Sequence, residues 1–186
     1  DADDQVNATY GEGTDSITWT RHPLEEAYAA VYKASGTENY SLVFGRGLIS
    51  DLEDSYYGHE LIGVALGYEE YSFYDMQGGN KMTQPWSSFA ASITEVIVKD
   101  EVRPVSMEQW FRGLLNCSIF SNIDKVNTSN CTNLWGTFND CRSIEELDLS
   151  SWDTSKVTRY GSGGYNSLFY NCLKLKKISL AGWDLS

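Results

Sequence analysis

The alternation of hydrophobic and polar positions repeats itself in the second half of the chain. The stretch from Cys141 to Ser155 and the stretch from Cys172 to Ser186 share a cysteine, three aliphatic residues, a tryptophan, an aspartate and a serine at an offset of 31 positions. A shorter copy begins at Cys117, and a fainter one without the cysteine covers 93–98. The aliphatic triplets of these four copies begin at positions 93, 120, 144 and 175.

Each triplet has the form aliphatic-x-x-aliphatic-x-aliphatic, which is typical of leucine-rich repeats with periods of ~20 to ~29 residues. Leu147 and Leu149 then alternate onto one face of a short strand. A single strand cannot bury that face, so we expect the copies to lie side by side in a parallel sheet. The segments 110–117, 134–141 and 165–172 have roughly helical spacing and predict short convex helical turns. The pattern thus predicts an α/β leucine-rich-repeat-like solenoid, expected to continue with further rungs beyond Ser186.

A short polar triplet follows three of the predicted strands, at 127–129, 153–155 and 184–186. Asn and Asp side chains in such triplets accept hydrogen bonds from nearby backbone N–H groups and close a turn. We therefore predict that these repeated Asp, Ser and Thr residues form a structural ladder and are not catalytic groups.

The first half of the chain has a different pattern. Strand-like runs occupy 16–20, 27–32, 40–44 and 61–66, and 35–39 is typical of a hairpin turn. Terminal repeats of a solenoid need a cap. The predicted organisation is a β-rich N-terminal capping module over residues 1–92 and the solenoid over residues 93–186.

Two motifs carry a family resemblance. They are Trp-Phe-x-Gly-x-x-x-Cys at 110–117 and Thr-Phe-x-x-Cys-x-x-Ile-x-x-Leu-Asp-Leu-Ser-x-Trp-Asp-Thr-Ser-x-Val-Thr at 137–158. Over about residues 93–186 the chain resembles the BspA-like leucine-rich repeats of bacterial surface proteins, first noted as a Mycoplasma-type lipoprotein repeat of unknown function. The resemblance implies an exported, surface-attached protein that acts as an adhesin and has no enzymatic activity. It carries no binding residues over to this chain.

The charge is concentrated in the first half. The chain has a net charge of −12, and residues 1–100 alone contain 5 basic and 17 acidic side chains. This acidity argues against a nucleic-acid partner, because phosphates would be repelled. The cluster of Asp1, Asp3 and Asp4 lacks the spaced ligands and turn glycine of a calcium loop. No metal, cofactor or membrane span is predicted.

The four cysteines are expected to act as small buried hydrophobic residues. Cys117, Cys141 and Cys172 are predicted to share one repeat position, and Cys131 fills an apolar slot. We expect free thiols, although neighbouring rungs lie close enough for a disulfide in an oxidising setting. The two histidines are isolated in the sequence, which argues against zinc. A Cys–His or Ser–His pair would meet only in the fold, and no catalytic residue is predicted.

Eight residues are candidates for ligand contact. Aromatic faces can stack on sugars or anchor proteins, and the strand face and the glycine-rich loop at 160–165 are the other exposed features expected of a solenoid. The candidates are Tyr56, Tyr57, Tyr71 and Trp86 in the predicted cap, Asp148 and Ser179 on the strand face, and Tyr160 and Tyr165 beside the loop.

The leading functional hypothesis is a non-enzymatic recognition module at the bacterial cell surface. It would bind a protein or glycan of a host cell or its extracellular matrix through the solenoid face and the aromatic cap. One alternative is a structural spacer, and another is an extracellular glycan-binding domain within residues 1–92. An exposed last rung is also expected to promote self-association.

Overall fold

The computed structural model describes residues 5–10, 17–22, 26–48, 52, 55–56, 58–66, 84–161 and 167–184. Extended segments account for most of the regular structure, and two short 3₁₀ turns lie between them at Ser87–Phe89 and Ile123–Lys125. The strands are β1 (Gln5–Tyr10), β2 (Ile17–His22), β3 (Glu26–Ala34), β4 (Tyr40–Gly47), β5 (Ser55–Tyr56), β6 (His59–Leu66), β7 (Ile93–Val98), β8 (Ile119–Ser121), β9 (Glu146–Asp148) and β10 (Lys177–Ser179).

Six of these strands form one mixed sheet in the order β5-β6-β3-β4-β7-β8. The pairs β5–β6, β6–β3 and β3–β4 are antiparallel, whereas β4–β7 and β7–β8 are parallel. Two further sheets have two strands each, the antiparallel pair β1–β2 and the parallel pair β9–β10. The strands predicted at 16–20, 27–32, 40–44 and 61–66 are confirmed as parts of β2, β3, β4 and β6. The turn predicted at 35–39 is closed by a bond from Ala34 N to Asn39 O of 2.9 Å.

The predicted α/β leucine-rich-repeat-like solenoid is wrong. The parts of the chain that the structure describes contain no α-helix and do not form a solenoid; they form a mostly β structure built on a mixed sheet. The triplets beginning at 93 and 120 contribute β7 and β8 to that sheet, whereas those beginning at 144 and 175 form the separate β9–β10 pair. The four triplets therefore do not share one parallel sheet.

The expected convex helical turns are replaced by irregular turns. Gly113, Asp140 and Asn171 end these turns with φ values of 77°, 60° and 61°, which lie in the left-handed region. A residue in this conformation cannot continue a right-handed helix, and only Gly, Asn and Asp adopt it readily. The aromatic spacing was read as helical, but a segment this short lacks the residues needed to propagate a helix.

Aromatic rings connect the mixed sheet to the repeated segments through the main core. The Phe44 ring on β4 stacks on Trp110, with centroids 5.2 Å apart. Phe111 then packs on Phe138 at 5.2 Å, and Phe138 packs on Phe169 at 5.4 Å. Each ring therefore contacts its counterpart in the next repeated segment, which makes the core continuous across the predicted boundary at residue 92.

This ring stack corrects the predicted alignment of the cysteines. Cys141 and Cys172 each lie three positions after the stacked phenylalanine of their segment. In the preceding segment that position is Leu114, and Cys117 lies three residues further along. The predicted equivalence of Cys117 with the other two is wrong, because Leu114 occupies the position that Cys141 and Cys172 occupy in the later segments.

The predicted polar ladder is confirmed at 127–129 and 153–155, whereas residues 185 and 186 of the third triplet lie outside the described residues. Asn127 Oδ1 accepts a hydrogen bond from Ser129 N at 3.1 Å, and Asp153 Oδ1 accepts one from Ser155 N at 2.9 Å. Thr128 Oγ1 donates to Asp153 O at 2.9 Å, which joins one turn to the next. These side chains satisfy backbone groups that the irregular turns would otherwise leave unpaired.

Candidate functional site

The side of β7–β10 that faces away from the main core presents exposed and partly exposed strand side chains. We call this set the outer strand face; it consists of Glu95, Ile119, Ser121, Glu146, Asp148, Lys177 and Ser179. The intervening residues Val96 and Leu147 are buried in the core. Ile119 is the register partner of Glu95 and is 53% exposed, which is unusual for a large apolar side chain on a strand. The face thus combines charge with an apolar contact.

The structure brings together two of the predicted contact residues on this face. Asp148 on β9 is the register partner of Ser179 on β10. Asp148 Oδ1 accepts a hydrogen bond from Ser150 N at 3.0 Å. Hydrogen bonds from Ser150 and Ser179 lower the pKa of the Asp148 carboxyl, so it stays ionised and can accept hydrogen bonds from a ligand.

The loop residue Tyr160 is occupied by contacts within the chain. Its hydroxyl donates to Asp184 O at 2.7 Å, and its ring packs 6.0 Å from the ring of Trp183. Tyr160 therefore helps to hold the last repeated segment in place. Tyr165 lies outside the described residues.

The aromatic candidates of the first half are placed differently from one another. Trp86 is 2% exposed, and its indole N–H donates to Trp110 O at 2.9 Å, so it is a core residue. Tyr56 lies on β5, where the structure describes only the backbone. Tyr57 and Tyr71 lie outside the described residues.

One polar cluster was not found by reasoning from the sequence. Ser41 on β4 lies between His59 on β6 and Glu95 on β7. The Ser41 Oγ is 2.9 Å from His59 Nδ1 and donates a hydrogen bond to Glu95 Oε1. The three residues are far apart in the sequence, and no local motif connects them. The only available signal was that Ser41 occupies a polar position within the apolar strand 40–44.

The proton count of this cluster argues for a structural role. A hydroxyl has one proton, so Ser41 can donate to Glu95 only if His59 donates its Nδ1 proton to the Ser41 oxygen. In nucleophilic catalysis the order is different, because the imidazole lies between the serine and the acid and accepts the serine proton. Ser41 is also 1% exposed. The cluster joins β6, β4 and β7, which lie on both sides of residue 92.

All four cysteines are free thiols, and three are buried. Burial raises the pKa of Cys117 to about 12 and that of Cys172 to about 11. The Sγ of Cys141 donates to Phe111 O at 3.0 Å, and burial raises its pKa well above the ordinary value. Because the thiolate is the reactive form, these thiols are inert packing groups.

Metal-type side chains do not converge in the regions described. Across the described ranges, no group of three or more His, Cys, Asp or Glu side chains could hold a metal ion. Among the same residues, no helix has the length and apolar character needed to cross a bilayer.

The fold and the outer strand face define a mostly β protein that displays a mixed polar and apolar strand surface. The chain belongs to the family described as "Mycoplasma protein of unknown function, DUF285", whose model matches residues 76–186. This match confirms the coarser part of the family resemblance. Neither the curated proteins nor the solved structures gave a match to this chain.

Proposed function

We propose that this protein is a non-enzymatic recognition module that binds a protein or glycan of a host cell or its extracellular matrix. The observation that carries the proposal is the outer strand face, where Ile119 is exposed on a strand whose next residue packs against the core. An apolar side chain held rigidly among polar neighbours is typical of an interface anchor.

The chemistry of this face favours a macromolecular partner over a small substrate. The face is built from short strands and is open, whereas small-molecule sites are concave and enclose their ligand. Glu146 and Lys177 are register partners, and their side chains lie 3.4 Å apart. Exposed charges of both signs contribute little to affinity but select the orientation of a partner.

We further propose that the protein acts outside the bacterial cell, at its surface. The resemblance of the motifs at 110–117 and 137–158 to bacterial surface proteins of the BspA type supports this location. The acidity of residues 1–100 also disfavours nucleic-acid partners.

Binding by the outer strand face can be tested with Ile119→Glu. The probes are immobilised collagen, laminin and fibronectin and a mammalian glycan array. We expect the unmodified protein to bind at least one probe and the variant to bind it at least tenfold more weakly, because a central anchor contributes ~2 kcal/mol or more. Val105→Glu is the matched control, since Val105, like Ile119, is an exposed β-branched apolar residue but lies outside the face.

A spacer function is the alternative outcome of this experiment. If the unmodified protein binds none of the protein or glycan probes, the recognition function loses its support and the spacer is favoured. Undiminished binding by Ile119→Glu would place the contact away from the outer strand face. Equal loss in both variants would show that the added negative charge weakens binding wherever it is placed, which would also remove the support for a contact at Ile119.

We also propose that the protein pairs with a second copy of itself. In the last described segment Leu175 and Trp183 are half-buried, whereas their counterparts Ile144 and Trp152 are fully buried. Partly exposed apolar residues beside a strand edge promote pairing with a second copy. Light scattering should therefore show a mass that rises with protein concentration, and a strict monomer at every concentration would contradict the proposal.

A further inference from the structure

A half-open apolar cavity of about 80 Å³ lies where the mixed sheet meets the first 3₁₀ turn. Its walls are Ala29, Val31, Gly63, Val64, Pro85, Trp86 and Phe89. Gly63 on β6 is the register partner of Val31 on β3. Because Gly63 has no side chain, the space between β3 and the Phe89 ring is left unfilled, and the cavity opens there.

The size of the cavity indicates what can enter it. An engineered apolar cavity of about 150 Å³ holds a benzene molecule. A cavity of about 80 Å³ accommodates a smaller group, such as the branched end of a Val, Ile or Leu side chain. The side chains that line it are apolar, so an aliphatic group that enters it makes favourable apolar contacts.

The backbone beside the cavity can pair with a further strand. Among the described residues, β5 pairs with β6 only at positions 59 and 60, so 61–66 of β6 have β3 on one side and no described strand on the other. Val64 within this stretch is 41% exposed. An unpaired strand edge presents N–H and C=O groups that an extended peptide can bind, while adjacent pockets select its side chains.

The charge of this half of the chain restricts the sequence of such a peptide. Residues 1–100 have 17 acidic and 5 basic side chains. An acidic surface attracts basic partners and repels acidic ones. An aliphatic side chain flanked by Lys or Arg therefore fits the cavity, the edge and the charge together.

We propose that the edge of β6 and its cavity bind an extended basic peptide segment of a partner protein. The peptide adds a strand to β6 and inserts one aliphatic side chain beside Gly63. This site deepens the proposed recognition function, on which it rests, by naming the class of partner and a second contact.

The test is a selection of phage-displayed random decapeptides on the full chain, with counterselection on Gly63→Val. A Cβ at Gly63 would lie 3.9 Å from Phe89 Cε2, an ordinary contact, and Gly63 does not have a left-handed φ. The Cβ is therefore accommodated, and we expect the valine methyl groups to occupy part of the cavity. We expect enrichment of peptides with an aliphatic residue flanked by basic residues, binding Gly63→Val at least tenfold more weakly than the unmodified protein.

Two further measurements keep the result independent of the folding of the variant. Backbone N-methylation of the selected peptide at alternate residues should weaken binding at least tenfold, because strand addition needs peptide N–H groups. Amide hydrogen exchange at 61–66 should slow when the unmodified peptide is added. Failure to enrich peptides, enrichment of acidic peptides, or equal binding of the N-methylated analogue would overturn the proposal.

Ile119→Ala, on β8 at the other end of the sheet, is the matched control and should bind the selected peptide normally. It also separates this site from the outer strand face. If Ile119→Glu loses binding to matrix probes while the unmodified protein enriches no peptide, the β6 site fails and the recognition function stands. If the peptide binds but no matrix probe does, the outer strand face fails and the β6 site stands.

Discussion

Glu108 is a carboxyl side chain in an energetically unfavourable, buried position. It is 5% exposed, and its Oε2 accepts a hydrogen bond from Asn133 and lies 3.7 Å from Arg159 Nη1. Its Oε1 is buried without a hydrogen-bond partner. Burial raises the pKa of this carboxyl, and the hydrogen bond from Asn133 and the positive charge of Arg159 oppose the rise only in part.

The raised pKa of Glu108 predicts how stability changes with pH. The folded state binds the Glu108 proton more tightly than the unfolded state does, so protonation of Glu108 stabilises the fold. This stabilisation is complete below the unfolded pKa of 4.5 and is lost as the pH rises through the higher folded pKa. Glu108→Gln should reduce this loss, measured as the change in free energy of unfolding between acidic and neutral pH.

The control for that measurement is Glu101, whose pKa is shifted in the opposite direction. A hydrogen bond from Arg103 lowers the pKa of the exposed Glu101, so its contribution is lost as the pH falls. Glu101→Gln should therefore flatten the acidic side of the stability profile. A Glu108→Gln profile parallel to that of the unmodified protein would contradict the prediction.

The buried thiols give a second prediction at the residue scale. The raised pKa values of Cys117 and Cys172 leave almost no thiolate at about pH 8, so alkylation of the folded protein should be slow. Cys172 should react first, because it is the most accessible of the four. When the protein is denatured without reductant, the absorbance of the chromophore that a thiol reagent releases should show 4 reactive thiols. Fewer would reveal a disulfide.

At the scale of elements, a left-handed residue decides where β8 ends. Asn122 has φ 56° and follows β8 directly, before the 3₁₀ turn of Ile123–Lys125. Its side chain makes no capping bond. The triplet beginning at Phe120 was predicted as one strand, but the left-handed turn at Asn122 stops the extended conformation after Ser121.

Substitution of Asn122 measures the cost of this turn. Asn122→Ala should lower the free energy of unfolding by ~1 kcal/mol, because alanine keeps the Cβ but lacks the short polar side chain with which Asn tolerates the left-handed conformation. Asn122→Gly should preserve or slightly raise stability, since glycine has no Cβ. Urea unfolding of the three proteins side by side is the measurement. Equal stability of the two variants would show that the turn is unstrained.

At the scale of the whole molecule, the mixed sheet ties the two predicted regions together. β4 pairs in parallel with β7 across residue 92, and the Phe44 ring stacks on Trp110. The division into residues 1–92 and 93–186 stays a prediction. The shared sheet and core favour unfolding in one cooperative transition.

Phe44→Ala tests that coupling. Removing this fully buried ring should cost ~3–5 kcal/mol, because it leaves a cavity that the surrounding rings cannot fill. Near-ultraviolet circular dichroism and amide exchange should report the loss in both regions at the same denaturant concentration. Phe44→Leu, which retains most of the volume, should lose less. Separate transitions for the two regions would contradict a single cooperative unit.

The sequence alone determined the local features of this protein. It identified four strands of the first half (β2, β3, β4 and β6, but not β1 or β5), the repeated segments and the polar turns at 127–129 and 153–155. Each of these depends on neighbours in the chain. It also indicated correctly that Cys117, Cys131 and Cys141 are buried, whereas Cys172 is only partly buried. These features follow from local periodicity and from side chains that bond nearby backbone groups.

Only the tertiary structure decided how the strands are shared among sheets. The repeat pattern fixes which side chains face inward, but it does not specify whether β7 pairs with another repeat or with β4. That choice depends on packing between distant residues, such as Phe44 with Trp110. The same long-range pairing brings Ser41, His59 and Glu95 together and leaves the cavity beside Gly63. Neither has a local signature, because both arise where strands far apart in the chain become neighbours.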